Sequence, residues 1–391
     1  MAKFFDVKYP IVFVHGMFGW GAGEGINRVI PYWGATTGDL VEWLNGNGCR
    51  SYSASVGPMS SAWDQACELY AQLTGTRVDY GEAHAKEYNH KRFGRRFNNA
   101  LIPEWSDKNK IHFIGHSFGG NCIRMLAYLL EFGAPEEVEV SKENVSPLFK
   151  GGNGGLVCSV TTICSPLNGT AAYETASRFK ILPTLKAIAY TYSALLGRSP
   201  LNGRIVDFHL EQFGMSKIPG ENDVDSVIKS VKTFSKTQDC IEFDMSPEGA
   251  ERLNSRIKTS PSAFYFSYQY NAVKQYKNTN HYVPSECDLP LMTLTSSLML
   301  INSKINNFRK DTQPETANDG LVNVSSASYP AGEPHIGYDK NNGSIEKGVW
   351  NVMPSNVGDH GTPIGLLADR LYTRAFYLKH FDILSNIENS L

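Results

Sequence analysis

A serine set between glycines on a strand-to-helix turn is the pattern in this chain that carries the most chemistry. Gly115-His116-Ser117-Phe118-Gly119 stands directly behind the apolar run Ile111-His112-Phe113-Ile114, and residues 121–130 follow with apolar side chains at helical spacing. On such a turn the strand carries the serine to the edge of a sheet, and the bend exposes its hydroxyl as a nucleophile requires. Small residues are needed where the strand and helix backbones approach, which Gly115, Gly119 and Gly120 provide. The plainer alternative is a glycine-rich turn whose serine merely caps the helix.

A nucleophilic serine also needs a base, and the base needs an orienting carboxylate. Behind this turn the expected chain order is serine, acid, histidine. Of the ten histidines, His335, His360 and His380 lie far enough downstream. His380 sits among Leu378, Phe381 and Leu384 in a helical pattern and reads as a surface or packing residue. His335 follows Pro334 in a polar loop. His360 lies in Val357-Gly358-Asp359-His360-Gly361, a short glycine-flanked loop from which an imidazole can reach over a sheet edge, and is favoured.

For the acid, Asn318-Asp319-Gly320 reads as a turn ahead of a strand, Leu321-Val322-Asn323-Val324. Asp319 is either a carboxylate at the sheet edge or part of an ordinary Asp-Gly turn, and the residues alone leave both open. An oxyanion hole needs two backbone N–H groups, one from the residue after the nucleophile and one from the loop after an early strand. Phe118 and Met17 occupy those places, with His15 holding the loop structurally.

The elements that must position these groups alternate in kind. Ile11-Val12-Phe13-Val14 is continuously apolar, as a central parallel strand is. Residues 39–47 read as a helix, 51–56, 111–114 and 156–163 as strands, and 366–384 as a closing helix. Strands alternating with helices predict a mostly parallel sheet with helices on both faces. Three stretches exceed that minimal core: 58–103 (a helix, then an irregular excursion), the polar 201–258, and 171–196, apolar at helical spacing.

Composition narrows the function classes. The chain has 391 residues and a formal net charge of −2, with no basic stripe to suit a nucleic acid. Seven cysteines at irregular spacing form no disulfide framework, and Cys122, Cys158 and Cys164 read as buried thiols. Residues 289–301 are too short and too interrupted to span a bilayer and read as buried beside the site. Met1 to Lys8 lacks the apolar core of a secretory signal.

Taken together, Val-His-Gly-Met-Phe-Gly-Trp-Gly, Gly-His-Ser-Phe-Gly-Gly, Ala-Asn-Asp-Gly-Leu-Val-Asn and Gly-Asp-His, in this order, resemble the bacillary thermoalkalophilic and staphylococcal lipases. The resemblance extends to Tyr32-Trp33-Gly34, to residues 77–84, to Ser146-Pro147-Leu148-Phe149 and to Lys347-Gly348-Val349-Trp350. It is weakest over 171–196 and 275–306. It implies a single α/β-hydrolase domain with Ser117, Asp319 and His360 as the triad, and Met17 and Phe118 lining the oxyanion hole. It implies a lid over 171–196, a lipid interface as partner and, by kinship, secretion.

The resemblance also implies a structural zinc bound by Asp64, His84, His90 and Asp239, pinning the 58–103 insert to the 201–258 insert. Read without it, His84 and His90 are six apart and cannot share one helix face, and solvated histidines are the plainer reading. One departure matters: the family's calcium carboxylates beyond the catalytic histidine are missing from residues 361–368, so calcium is not expected. The activity implied is hydrolysis of acylglycerols or other apolar carboxylic esters through an acyl-enzyme. The alternatives are a broad esterase able to act on polyesters and a hydrolase fold used only for binding.

Overall fold

Every residue of the strand β1 (Ile11–Val14) is buried, as it must be for a strand covered on both faces. Among the described residues it lies one strand in from the edge of a seven-stranded sheet with β2 (Ser51–Ala54), β3 (Ile111–His116), β4 (Val157–Ile163), β5 (Phe264–Tyr268), β6 (His335–Gly337) and β7 (Trp350–Val352). The strand order is β6-β7-β5-β4-β3-β1-β2, and every neighbouring pair is parallel. The computed structural model describes residues 6–173, 207–214, 234, 236–279, 281–310, 316–339 and 344–391.

Alternation along the strands divides the interior into two cores. Val12 and Val14 face one with Phe113, Val160 and Tyr265, while Ile11 and Phe13 face the other with Ile114, Ile163 and Phe266. The helices α2 (Ala62–Thr74) and α4 (Gly119–Phe132) cover the first; α1 (Leu40–Gly46) and the closing helix α6 (Arg370–Asn389) cover the second. Between α2 and β3 the chain forms a short antiparallel pair, Arg77–Asp79 with Phe93–Arg96, and the helix α3 (Glu82–Tyr88). The helix α5 (Pro290–Lys310) precedes the Asp319 turn.

Two buried histidines tie α6 to the sheet. His112 on β3 bonds Ser159 Oγ at 2.7 Å and Glu388 Oε1 at 3.0 Å, and Glu388 also accepts from the amides of Lys8 and Tyr9. His380, expected as a packing or surface residue, is buried between Thr161 Oγ1 and Tyr268 Oη.

Three local expectations give way. Residues 321–324 are no strand: Asp319 Oδ1 accepts from the amides of Leu321 and Val322, and Asp319 N donates to Val322 O, so the turn consumes groups a ladder would need. A short helix, Val324–Ser328, follows instead. The closing helix starts at Arg370, where Asp369 caps it by accepting from Tyr372 N at 2.8 Å, because Gly365 and Leu367 turn the preceding chain with positive φ. Residues 289–301 are amphipathic rather than wholly buried: Met292, Met299 and Leu300 face inward, Leu291, Leu294 and Ile301 outward.

Candidate active site

At the end of β3 the backbone turns sharply, and Ser117 holds φ at +53°, a left-handed conformation that a side-chain-bearing residue adopts at a cost. The turn is fixed by Ser117 N–H donating to Ile163 O at 2.8 Å and Gly120 N–H donating to Ser117 O at 3.1 Å. Glycine is obligatory at 119, where a Cβ would lie 2.3 Å from Val14 O, and at 16, where it would lie 2.6 Å from Ser117 Cβ. The loop after β1 is therefore pressed directly against the serine.

His360 and Asp319 meet as the chain order anticipates. His360 Nδ1 bonds Asp319 Oδ2 at 2.8 Å, and His360 N–H donates to Asp319 O at 2.9 Å. Asp319 is buried, with its other oxygen occupied by the two amides that form its turn. An ionised carboxylate can only accept, so the Nδ1 position carries the proton and Nε2 is left as the basic nitrogen. His335 is elsewhere, on β6 with its ring stacked on Tyr329. Ser117 Oγ makes no hydrogen bond among the described residues, His360 included. Contacts between a nucleophile and its base are often long or poorly aligned until a substrate binds.

The amides of Met17 and Phe118 find no acceptor among the described residues. His15 holds the Met17 loop from behind: Nδ1 donates to Gly16 O at 2.9 Å and Nε2 accepts from Val56 N–H at 3.3 Å. Burial holds the His15 imidazole below its ordinary pKa, which suits a neutral brace. Below the loop lies a buried ionic cluster. His209 stands between Glu68 Oε2 (3.0 Å) and Glu24 Oε1 (3.4 Å), and Glu24 accepts from Gly21 N–H and Ser55 Oγ.

Four neighbours were given no role at the site by the sequence reading. Cys164, at φ +53° just past β4, is fully buried, and burial together with the Asp319 carboxylate pushes its thiol well above the ordinary range. Asp359 binds its own loop, accepting from the amides of Leu289 (3.0 Å), Gly361 (2.9 Å) and Thr362 (3.1 Å). Tyr32 and His116 bond each other at 2.7 Å. His116, inside the serine motif, and Asp359, beside His360, could have been flagged from their positions; Tyr32 and Cys164 depend on contacts between distant segments.

A second constellation lies in the insert. Asp64 in the first turn of α2, His84 on α3, His90 just beyond it and Asp239 bring one donor atom each to within 4.8 Å of the others. His84 Nε2 lies 3.3 Å from Asp64 Oδ1 and 3.2 Å from Asp239 Oδ1, and His90 Nε2 lies 3.1 Å from Asp239 Oδ2. Asp64 Oδ1, His84 Nε2, His90 Nε2 and Asp239 Oδ2 are all buried without a hydrogen-bond partner. Orphaned donor atoms facing one point, two imidazoles and two carboxylates, fit a tetrahedral divalent cation. The outer atoms are braced: Gln212 Nε2 donates to Asp64 Oδ2 at 2.8 Å, and His90 Nδ1 donates to Lys91 O at 2.9 Å.

The chain also has relatives of known name. Lipase 2 of Staphylococcus aureus is 31% identical over 365 residues, covering 92% of this chain and 50% of that protein. The lipase of Staphylococcus hyicus is 33% identical over 396 residues, covering 98% of this chain and 58% of that protein. The chain thus spans about half the length of the curated relatives it matches. Among solved structures, the S. hyicus lipase superposes with a TM-score of 0.82 at 30% identity, over 98% of this chain and 96% of that one. EstA from Clostridium botulinum gives 0.80 at 36% identity, over 99% and 89%. The family described as "Lipase-like, C-terminal domain" matches residues 7–383, and the chain, an α/β-hydrolase, belongs to it.

Proposed function

We propose that this protein is a serine ester hydrolase, a lipase or carboxylesterase, with Ser117 as nucleophile, His360 as base and Asp319 as its orienting acid. The observation that carries the reading is the 2.8 Å bond from His360 Nδ1 to Asp319 Oδ2, because it fixes the tautomer that leaves Nε2 free to take a proton. As Ser117 Oγ attacks the ester carbonyl, His360 Nε2 removes the hydroxyl proton. The developing oxyanion is held by the open amides of Met17 and Phe118. His360 then gives its proton to the departing alcohol, and a water molecule repeats the sequence on the acyl-enzyme.

Apolar esters suit the surroundings. The His360 loop is flanked by exposed Leu291, Leu294, Val357, Leu367 and Leu371, with Tyr372 Oη donating to Val357 O and Leu289 N–H donating to Asp359. A rim of this kind favours a lipid or emulsion surface over a dissolved polar substrate. Among the described residues no helix is long and apolar enough to cross a membrane. The segment 171–196, read as a lid, lies outside the described residues beyond Tyr173, and its role rests on resemblance.

Zinc is the cation proposed for Asp64, His84, His90 and Asp239. With four protein donors and no open position, it would be structural, tying the insert 58–103 to the insert 201–258 within one domain.

The deciding experiment is Ser117→Ala assayed on p-nitrophenyl esters and on triglyceride emulsions of increasing acyl length. Turnover should drop by about 10⁵-fold or more with the fold retained. Wild-type rates in that variant would refute the assignment. Higher rates on long-chain emulsions than on short soluble esters mark a lipase; the reverse marks a broad esterase.

A further inference from the structure

Three loops must keep register for the chemistry proposed above: the Met17 loop, the serine turn and the His360 loop. One continuous chain of hydrogen bonds joins all three, and it passes through no group of the triad's own side chains. Gly16 N–H donates to Tyr32 Oη at 3.0 Å. Tyr32 Oη and His116 Nδ1 are 2.7 Å apart. His116 Nε2 lies 2.9 Å from the carbonyl oxygen of His360.

The direction of each bond follows from chemistry. A carbonyl only accepts, so His116 Nε2 carries a proton and donates. His116 is fully enclosed, and burial, then the neighbouring His360, hold its pKa well below the ordinary value, so the ring is neutral. Its Nδ1 therefore offers a lone pair, and Tyr32 donates to it. The hydroxyl accepts from Gly16 with its remaining capacity. Each donor in the chain has one acceptor, and Tyr32 Oη serves once as donor and once as acceptor.

The packing leaves Tyr32 little freedom. Its ring meets Trp20 at 5.7 Å and Trp33 at 5.5 Å between centroids, and a Cβ on Gly19 would lie 2.7 Å from its Cε2. Gly16, whose amide it receives, is pressed against Ser117 on its other side. A shift of Tyr32 thus moves Gly16, and with it the Met17 amide, relative to the serine.

We infer that Tyr32 and His116 are positioning residues for ester hydrolysis, a relay that sets the oxyanion loop and the His360 backbone against the serine turn. The inference rests on the serine-hydrolase reading above. Tyr32→Phe removes one hydroxyl and keeps the ring, so it cuts the relay at its centre. Gly16 N–H then loses its acceptor and His116 Nδ1 its donor.

The test is steady-state hydrolysis of a p-nitrophenyl ester, with active sites counted by titration with an organophosphonate so that a merely unfolded fraction drops out. In Tyr32→Phe, kcat per titrated site should fall on the order of tenfold to a hundredfold, with KM within about twofold. A second pair guards against misfolding. His116→Gln keeps an amide N–H able to reach the His360 carbonyl, and His116→Leu does not, so the Gln variant should retain several-fold more kcat (about threefold or more). Wild-type kcat per site in Tyr32→Phe, or equal losses in Gln and Leu, overturns the relay. If wild type hydrolyses the ester and Ser117→Ala does not, such a result overturns the relay alone; an inactive wild type overturns the relay and the enzyme reading together.

Discussion

Two histidine–aspartate sites among the described residues treat the imidazole in opposite ways. At the sheet edge His360 has a single carboxylate partner through Nδ1, 2.8 Å away, and its other nitrogen is left for proton transfer. In the insert, His84 Nε2 is shared between Asp64 and Asp239, His90 Nε2 also faces Asp239, and four buried atoms lack any hydrogen-bond partner. One-sided pairing orients a base. Donor atoms converging on one point suit a cation, because lone pairs and carboxylate charge buried together are costly unless compensated. The residue types are the same, and which atoms have partners decides the chemistry.

The largest test of that contrast exchanges an aspartate for its amide in each place. Asp319→Asn removes the charge that supports the imidazolium and presents either an N–H or a weaker acceptor to Nδ1. It should lower kcat by about 10³- to 10⁴-fold, measured per titrated site, with little change in melting temperature. Asp239→Asn should do the reverse, leaving kcat at low temperature within about tenfold while lowering the melting temperature. If both variants lose activity equally, the two sites are not functionally separate.

Removing the cation sharpens the same point without a mutation. Calorimetry of chelator-treated protein should show the melting temperature lower by on the order of 10 °C, with recovery on adding stoichiometric zinc. The rate on a soluble ester well below the transition should be nearly unchanged. A melting temperature indifferent to chelation would remove the structural metal from the account.

The degree to which the sequence disclosed each region follows the same physics. The serine turn was legible because its chemistry is local: strand, bend and small residues lie within ten positions. His360 could be chosen because a glycine-flanked loop is a different environment from the helix that holds His380. Asp319 could not be settled from its own neighbours, since the Asx turn it makes is the ordinary behaviour of Asp-Gly, and that turn also removed the strand expected at 321–324. The candidate metal site leaves no compact spacing, because Asp64 and Asp239 are brought together only by folding; resemblance supplied it. Strands β6 and β7, at the far edge of the sheet, are three residues each, too short for a period to register. Cys164 could be read as a buried thiol, but its place at the site, like that of Tyr32, could not, because the partners come from segments far away in the chain.

A third histidine–carboxylate pair tests the rule at its weakest effect. His112 has both ring nitrogens occupied, Nδ1 by Ser159 Oγ and Nε2 by Glu388 Oε1, so it has neither a free basic atom nor a vacancy for a cation. Burial works against its charged form, but Cys158 and Glu388 outweigh it and push the imidazole up from 6.5 to about 9. The folded state then holds this proton more tightly than the unfolded chain does. The stabilisation is complete below about 6.5 and is lost as pH rises through about 9. Burial likewise opposes the Glu388 charge, and the bond to His112 with the amides of Tyr9 and Lys8 lowers its carboxyl from 4.5, so the same pair weakens as pH falls through the acid range. Glu388→Gln should therefore cost about 1–3 kcal/mol near pH 6 and much less at pH 9.5, read as a melting-temperature difference that narrows with rising pH. Catalysis per active site should stay at the wild-type level throughout, since a histidine with two fixed partners can brace the closing helix but has no nitrogen left to move a proton.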